Sequence, residues 1–163
     1  MEAEIPQLSE QTELFHLKSA DYTKLVLLYC MNGGHHLSLL QDGGVEGTRD
    51  QHESHCILRI KAVSPGVVVI EGVEAGQFLS MSEHGKLYGS LSVTDESYFL
   101  EKIEENHYNT YSSQKHGPNW YVGIKKNGKP KNGSRTHIGQ KAIFFLPRQL
   151  DRAKDEGLTL ANE

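Results

Sequence analysis

The chain has 163 residues, of which 37% are hydrophobic and 23% charged, and its formal net charge is −4 at neutral pH. This length predicts one domain that is large enough to bury a core without disulfides or metals. The hydrophobic content argues against a disordered protein, and no apolar run reaches the roughly 18 residues that a membrane span needs. The net charge alone gives no reason to expect a polyanionic partner.

The first 23 residues are mostly polar and acidic, and we predict that residues 1–23 form a flexible N-terminal arm. The arm lacks the basic start and the apolar stretch of a secretory signal peptide. From these features alone, synthesis and folding in the cytosol are expected.

Residues 24–147 contain a three-fold repeat of about 42 residues. Apolar positions, turn pairs and a later glycine all recur at this spacing: Leu37, Leu79 and Val122; Leu39, Met81 and Ile124; Asp42-Gly43, His84-Gly85 and Asn127-Gly128; Gly47, Gly89 and Gly133. Glycine after a polar residue between alternating runs is typical of a tight hairpin. Four strands per repeat predict an all-β fold of twelve strands, the closed β-trefoil, with the repeated apolar positions in its core.

The cysteines and histidines offer few candidates for chemistry. Cys30 and Cys56 lie in apolar, strand-like runs, and we predict that both are buried free thiols. The run His52–Cys56 lacks a second ligand cluster at zinc-like spacing, so no metal site is expected. The sequence contains no nucleophile elbow, phosphate loop or dinucleotide fingerprint. We therefore expect no catalytic residue and no enzymatic activity.

The segment Glu104–Tyr111 combines two amide side chains with a histidine and two tyrosines. Exposed tyrosine beside amides is common in protein interfaces. Packing of Tyr108 and Tyr111 on the barrel is an equally good interpretation, and composition does not separate the two.

Charge is segregated along the chain. Residues 106–150 contain no Asp or Glu and eight Lys or Arg, which gives this window a formal charge of +8. Six of these cations fall within Lys125–Lys141, where Gly, Asn, Pro and Ser should curl the backbone and gather the charges on one surface. Nucleic acid and sulfated glycosaminoglycan are both suitable polyanions. The absence of Phe, Tyr and Trp from this segment favours the polysaccharide, because single-stranded nucleic acid prefers aromatic stacking. Residues 148–163 form a predicted charged C-terminal tail, and its part 151–163 is expected to be a short helix or disordered.

Five segments resemble one known family: Leu27–Leu37, Asp42–Asp50, Leu100–Tyr111 (LEKIEENHYNTY), Asn119–Gly128 (NWYVGIKKNG) and Arg135–Pro147 (RTHIGQKAIFFLP). They are similar to the fibroblast growth factors, and the resemblance covers roughly residues 24–147. It implies a β-trefoil that binds heparin or heparan sulfate together with the extracellular domain of a fibroblast growth factor receptor tyrosine kinase. It also implies a mitogen that drives cell proliferation, differentiation and angiogenesis, with heparan sulfate as co-ligand and no other cofactor.

The resemblance further implies a protein that is secreted without a signal peptide and that also occurs in the cytoplasm and the nucleus. It is expected to be monomeric alone, to dimerise on heparin and not to insert into membranes. An alternative is an intracellular β-trefoil module that binds nucleic acid or another polyanionic scaffold.

Two sets of site residues follow from the resemblance. The implied heparin contacts are Asn32, Lys125, Lys126, Asn127, Lys131, Arg135, Gln140 and Lys141. The implied receptor contacts are Tyr29, Arg49, Glu101, Tyr108, Asn109 and Leu146. The chain departs from the family pattern at four places. Asn132 stands where a basic residue is expected, Arg148 where an apolar receptor contact is expected, and Ser97 where a cysteine is expected. The basic pair expected in the N-terminal arm is mostly absent, with only Lys24 left. Lys129 is a candidate to replace the cation that is missing at Asn132.

Overall fold

Twelve β-strands and four short 3-10 turns make up the part of the chain that the computed structural model describes, residues 24–151 and 159–160. The strands are β1 (Lys24–Cys30), β2 (His36–Leu39), β3 (Val45–Thr48), β4 (Leu58–Ser64), β5 (Val67–Gly72), β6 (Gln77–Met81), β7 (Leu87–Ser90), β8 (Phe99–Ile103), β9 (Asn109–Ser113), β10 (Gly117–Tyr121), β11 (Phe145–Asp151) and β12 (Thr159–Leu160). The turns are Ser54–Cys56, Asp95–Ser97, Gly133–Arg135 and Lys141–Ile143. Within these described residues, no helix is long and apolar enough to cross a membrane. The predicted arm, residues 1–23, lies outside them.

Six strands close into a barrel, in the order β1, β4, β5, β8, β9 and β11, with antiparallel pairing between neighbours. The ring closes where β11 pairs with β1, from Val26 opposite Gln149 to Cys30 opposite Phe145. Closure of a barrel removes the sheet edges that would otherwise invite aggregation. The all-β trefoil fold expected from the repeat is confirmed.

The three predicted turn pairs form the same turn. In each one the glycine N–H donates to the carbonyl oxygen three residues earlier: Gly43 to Leu40, Gly85 to Ser82 and Gly128 to Lys125. Their φ angles are +89°, +83° and +90°, in the left-handed region that glycine enters without a Cβ clash. The recurrence of Gly at this spacing therefore follows from the backbone geometry of the turns.

The third hairpin is paired less than the other two. The β2–β3 and β6–β7 hairpins each have four paired positions, whereas the third has the single bridge between Ile124 and Pro130. Pro130 has no N–H to donate, and the backbone N–H of Lys125 bonds to the carbonyl of Lys129, which sets two cations opposite each other. The third repeat thus supplies β9, β10 and β11, and the twelfth strand lies in the tail.

That twelfth strand, β12, pairs with the end of β11 through Leu150 opposite Leu160 and Asp151 opposite Thr159. For these two tail residues the expectation of helix or disorder is wrong. The pairing of β11 with β1 ends at Gln149, so the backbone of residues 150 and 151 is available to another strand. The remaining tail residues, 152–158 and 161–163, lie outside the described part.

Three backbone hydrogen bonds join the hairpins in a cycle, which we call the glycine ring. Each bond runs between two of the glycines that recur in the sequence: Gly47 N to Gly128 O at 2.7 Å, Gly89 N to Gly43 O at 2.9 Å and Gly133 N to Gly85 O at 2.8 Å. Side chains also pack closely against the ring, since a Cβ at Gly133 would lie 2.6 Å from the sulfur of Met81. Every repeat therefore donates to one neighbour and accepts from the other.

The six repeated apolar positions are fully buried in one core with Leu28, Leu58, Ile70, Phe99 and Phe145. Burial of such a side chain contributes about 1.5–3 kcal/mol. In β2 the alternation does not separate buried from exposed residues, because His36 and Ser38 are buried as well as Leu37 and Leu39. Cys30 and Cys56 are buried free thiols, as predicted, and burial raises the pKa of each to about 11.

Glu96 ties the 3-10 turn Asp95–Ser97 to two other parts of the fold. Its carboxylate accepts a hydrogen bond from the Tyr88 hydroxyl and lies 2.8 Å from Nε2 of His116. The Tyr88 hydrogen bond, followed by the His116 contacts, lowers the pKa of Glu96. Burial and the same carboxylate raise the pKa of Tyr88 to about 12. The neighbouring pair of Lys115 and Asp95, at 2.6 Å, braces the same turn.

Candidate functional site

The eight predicted heparin contacts lie together on the third hairpin, the segment after it and one residue of the first repeat, and we call them the basic surface. The turn at Asn127-Gly128 and the 3-10 turns Gly133–Arg135 and Lys141–Ile143 curl the segment 125–141, as its composition predicts. Backbone bonds hold it down: Lys131 N donates to Gly123 O at 2.8 Å and Ile124 N to Ala142 O at 3.0 Å.

Asn32 comes from the first repeat and is brought to this surface by a long-range bond. Its Nδ2 donates to the carbonyl of Ile124 at 3.1 Å, across 92 residues of sequence. The residue before Asn32, Met31, donates its backbone N–H to the carbonyl of Phe144 at 2.9 Å, which fixes the same turn against the end of the third repeat. The structure therefore places Asn32 against the strand end that leads into Lys125 and Lys126.

The cations of the basic surface face solvent without acidic partners in the described part of the chain. Lys125, Lys126, Arg135 and Lys141 are exposed and Lys131 is half-buried, and none of the ion pairs among the described residues involves them. Lys129 is exposed on the same turn. Unpaired cations gathered by a rigid backbone create a local positive potential that the net charge of −4 conceals.

The amides of this surface leave donors available. Asn127 Oδ1 accepts from the backbone N–H of Lys129 at 3.0 Å, and Gln140 Oε1 accepts from that of His137 at 2.9 Å. Each side chain is oriented by its oxygen, and its NH₂ group donates to no other described residue, so it can donate to an anion. A sulfate or phosphate group bound here would receive both charge and directed hydrogen bonds.

Asn132 has a structural role that sequence reasoning missed. Its Oδ1 accepts from the backbone N–H and the hydroxyl of Ser134, at 2.9 and 2.6 Å, and so caps the 3-10 turn Gly133–Arg135. Its Nδ2 donates to the carbonyl of His84 at 2.9 Å. The amide thus braces the glycine ring where the second hairpin meets the third repeat, a task that a lysine could not perform.

Lys86 is a second residue that sequence reasoning missed. It is exposed directly after the turn glycine of the second hairpin, and it lines a shallow groove with Pro130, Lys131 and Asn132. The repeat contained the signal, because Lys86 follows Gly85 as Lys129 follows Gly128. Lys86 extends the basic surface onto the second repeat.

The six predicted receptor contacts lie on neighbouring strands or directly beside them, and we call them the tyrosine surface. Four are in strands β1, β8, β9 and β11, whereas Arg49 directly follows β3 and Tyr108 directly precedes β9. Asn109 of β9 pairs with Phe145 of β11, and the next residue, Leu146, pairs with Tyr29 of β1. Leu146 is exposed to 41%, although the four residues before it, 142–145, are buried. Tyr108 is half-buried, with its ring centroid 6.5 Å from that of Phe144.

Glu101 and Asn109 are positioned by a buried tyrosine. The hydroxyl of Tyr111 donates to Glu101 Oε2 at 2.9 Å, and Asn109 Nδ2 donates to that hydroxyl oxygen at 3.2 Å. Tyr111 is fully buried in the core, so of the two interpretations open for it, packing on the barrel is correct. Burial and the nearby Glu101 charge raise the pKa of Tyr111 well above its ordinary value.

Arg148, the departure at the edge of this surface, contacts two of its neighbours. Its Nη1 lies 3.3 Å from Nε2 of His36, and its guanidinium carbon lies 6.0 Å from the ring centroid of Tyr29. The Tyr29 and His36 rings meet edge to face at 5.6 Å. Burial, then the charge of Arg148, then His35 lower the pKa of His36 to about 4. His36 is therefore neutral at physiological pH, and its Nε2 can accept from Arg148.

Ser97 has replaced the expected cysteine without leaving a polar group unpaired. Its hydroxyl is fully buried, 2.8 Å from that of Ser80, and it accepts from the backbone N–H of Thr94 at 3.0 Å. This last bond completes the capping box of the 3-10 turn Asp95–Ser97.

The chain matches the family model described as fibroblast growth factor over residues 24–146. A putative fibroblast growth factor 1 of Danio rerio is 72% identical over 135 residues, covering 83% of this chain and 91% of the relative. Fibroblast growth factor 1 of Cynops pyrrhogaster is 53% identical over 88% of this chain and 98% of the relative, and that of Xenopus laevis 51% over 90% and 95%. With a barrel of the expected kind beneath this match, the chain is a growth factor that belongs to the fibroblast growth factor family.

Proposed function

We propose that the protein binds and activates a cell-surface fibroblast growth factor receptor tyrosine kinase, with heparan sulfate on the basic surface as co-ligand. The cellular outcome is proliferation, differentiation and angiogenesis. One observation supports this most: the basic surface and the tyrosine surface meet at a single turn. Asn32 of this turn belongs to the basic surface, and the carbonyl of Gly33 accepts from Arg49 of the tyrosine surface.

Heparan sulfate suits the chemistry of the basic surface. Lysines serve as point charges for sulfates, and Arg135 adds a planar fork. The oriented NH₂ groups of Asn127 and Gln140 supply direction. Since the cations have no acidic partner in the described residues, a sulfated chain replaces only water and counterions and breaks no ion pair in that part of the chain.

The tyrosine surface suits a protein partner. Tyr29, Tyr108 and Leu146 provide aromatic and apolar area, which is enriched at interface cores. Glu101 and Arg49 carry opposite charges at different places on the same surface. Such a charge pattern fixes the register of a partner more than it adds to affinity.

The closeness of the two surfaces explains a co-ligand role. A polysaccharide on the basic surface continues past Asn32 towards a receptor on the tyrosine surface, so both can contact it at once. Two growth factor molecules on one chain have a high effective concentration for each other's receptors. On this proposal the protein is a monomer alone, dimerises on heparin, and is exported without a signal peptide while cytoplasmic and nuclear pools remain.

The test is receptor phosphorylation in heparan-sulfate-deficient cells treated with the purified protein, with and without added heparin. Phosphorylation that depends on heparin is the expected result. The Lys125→Ala, Lys126→Ala double variant should need more heparin to reach the same receptor phosphorylation. Tyr108→Ala should give weak phosphorylation at any heparin concentration. No phosphorylation under any condition would contradict the proposal and turn attention to an intracellular polyanion-binding module. Binding of a labelled single-stranded oligonucleotide that heparin cannot displace would support that alternative.

A further inference from the structure

Arg148 is a half-buried cation in β11, opposite Leu27 of β1, in the middle of aromatic neighbours. We propose that Arg148 is a specificity-determining residue that binds a carboxylate of the receptor, an Asp or Glu side chain, at the edge of the tyrosine surface. This inference rests on the proposed function and names the chemistry of one contact within it.

Two contacts orient the guanidinium before any partner arrives. Nη1 donates to Nε2 of His36 at 3.3 Å, and the group lies over the ring of Tyr29. His36 is 4% exposed and its ring is fixed by the edge-to-face contact with Tyr29, so it is a rigid acceptor. An arginine held in this way loses less conformational entropy on binding than a free one.

The proton arrangement of His36 follows from this contact. Nε2 must carry the lone pair that accepts from Arg148, so the proton of the neutral ring is on Nδ1. Nδ1 is buried without a hydrogen-bond partner in the described residues. A buried polar atom without a partner lowers the stability of the fold. The same orientation of the His36 ring gives Arg148 its hydrogen-bond acceptor. The low pKa of His36, about 4, keeps the acceptor in place at neutral pH.

The charge of Arg148 is not satisfied within the described part of the chain. No ion pair among the described residues includes it, and its one side-chain partner there is the neutral His36. A guanidinium has five N–H donors in a planar fork, and most of them remain for a bidentate carboxylate. Partial burial beside Tyr29 removes competing water, so such a pair is stronger here than on an open surface.

The neighbours of Arg148 favour a protein carboxylate over a sulfate. Exposed Leu146 and half-buried Tyr29 lie beside it, and neither belongs to the basic surface. Arg49 lies on the same side of the molecule, since it bonds to Gly33 and a Cβ at the next residue, Gly34, would be 3.5 Å from the Tyr29 hydroxyl. Two arginines near one tyrosine match an acidic, partly apolar protein patch.

The experiment measures equilibrium binding of the full chain to the receptor extracellular domain in the presence of heparin, over a range of salt concentrations. Arg148→Gln should weaken binding about tenfold or more and flatten its salt dependence. Arg148→Lys keeps the charge but lacks the planar fork, and its affinity for the receptor should lie between those of the wild type and Arg148→Gln. Lys61→Gln, which removes an exposed cation of β4 outside both surfaces, is the matched control and should bind as the wild type does. His36→Phe keeps a ring against Tyr29 but removes the acceptor, and should weaken binding several-fold with the salt dependence retained.

The readouts separate this inference from the proposed function. Receptor binding that is weakened by Tyr108→Ala but unchanged by both Arg148 variants would overturn the inference and leave the proposed function standing. No binding by the wild-type chain would overturn both. If Arg148→Gln lowered heparin retention as much as loss of Lys125 and Lys126, Arg148 would be a sulfate ligand and the inference would be wrong. One acidic residue of the receptor could also be replaced by a basic one. If this replacement restored binding of an Arg148→Glu variant and of no other variant, that acidic residue would be the partner carboxylate.

Discussion

The side chain of Arg49 donates a 2.9 Å hydrogen bond from Nε to the carbonyl oxygen of Gly33. Gly33 directly follows Asn32, whose own side chain is bonded to the third hairpin at Ile124. The turn at residues 31–34 thus has one side chain in the basic surface and one backbone carbonyl bonded to the tyrosine surface. Displacement of this turn is expected to affect both surfaces together.

Removal of two cations from the third hairpin should weaken heparin binding without affecting stability. Lys125→Ala with Lys126→Ala should lower the sodium chloride needed for elution from a heparin column, because fewer counterions are released on binding. The slope of log affinity against log salt should fall by roughly one for each cation that contacts sulfate.

A matched control for this variant is Lys61→Ala with Lys102→Ala, which removes two exposed cations outside the basic surface. Elution of both double variants at the same salt concentration would show that heparin affinity depends only on the total charge of the protein. Urea unfolding should give the same free energy for the Lys125, Lys126 variant as for the wild type, within about 0.5 kcal/mol.

Asn32→Ala should reduce both stability and heparin affinity. Loss of the hydrogen bond to Ile124 is expected to cost about 1 kcal/mol in the free energy of unfolding. Asn32→Asp should reduce heparin retention further, since it adds a carboxylate to the basic surface and cannot donate. Equal heparin retention for Asn32→Ala and Asn32→Asp would contradict an electrostatic role for this position.

Tyr111→Phe should destabilise the fold and weaken the receptor contact through Glu101 and Asn109. The variant removes a hydroxyl that bonds to both side chains, at an expected cost of about 1–2 kcal/mol in urea unfolding. Heparin elution should not change. Tyr121→Phe is the control, because the hydroxyl of this half-buried tyrosine makes no hydrogen bond within the described residues. If the two variants unfolded at the same urea concentration, the proposed role of the Tyr111 hydroxyl would be wrong.

Acid should destabilise the protein in part through Glu96, whose pKa is lowered in the fold by the Tyr88 hydroxyl and then by His116. A lowered carboxyl pKa contributes stability above the ordinary Glu value of about 4.3, and this contribution is lost as the pH falls through the folded-state value. Tyr88→Phe should lower the unfolding free energy by about 1 kcal/mol at neutral pH. The gap from the wild type should narrow below about pH 4, since protonated Glu96 gains less from Tyr88.

The check is urea unfolding of Tyr88→Phe and wild type at neutral pH and at acid pH. Tyr98→Phe, another half-buried tyrosine of the same region, is the control, and no side-chain hydrogen bond of Tyr98 occurs in the described part of the fold. A gap between Tyr88→Phe and wild type that stays constant down to low pH would rule out the Glu96 contribution.

The features that could be predicted from sequence are those with a local cause. The turn at Asn127-Gly128 follows from the conformational freedom of glycine, and the burial of Leu79 and Met81 follows from alternation along a strand. Their recurrence in three repeats made the closed barrel predictable. Curling of the segment after Lys125 was predictable for the same reason, because its Gly, Asn and Pro residues act on their own backbone.

The features that could not be predicted join residues far apart in the chain. The contact between His36 and Arg148 spans 112 residues, and neither side chain indicates the other in the sequence. Asn132 looked like a missing cation because its bond to His84 depends on how the second hairpin meets the third repeat. The reduced strand pairing of the third hairpin depends on the missing N–H of Pro130 and on the placement of Lys125 opposite Lys129. The predicted site residues are brought together as expected, and their contacts with heparin and receptor stay predictions.

Because the barrel is closed and the glycine ring joins all three repeats, the fold should tolerate chain termini at a different place. The first strand and the last barrel strand lie side by side, with Val26 opposite Gln149, so a short linker could join them. The turn at Pro65 and Gly66 is exposed, and a Cβ at Gly66 would meet no other atom within 4 Å. A circular permutant that begins at this turn would keep every hydrogen bond of the glycine ring and the basic surface. Its new termini would lie beside Glu101 of the tyrosine surface, because the backbone N–H of Glu101 donates to the carbonyl of Gly66 at 2.9 Å. The basic surface could therefore be joined to a fusion partner through this turn of the barrel instead of through its first or last strand.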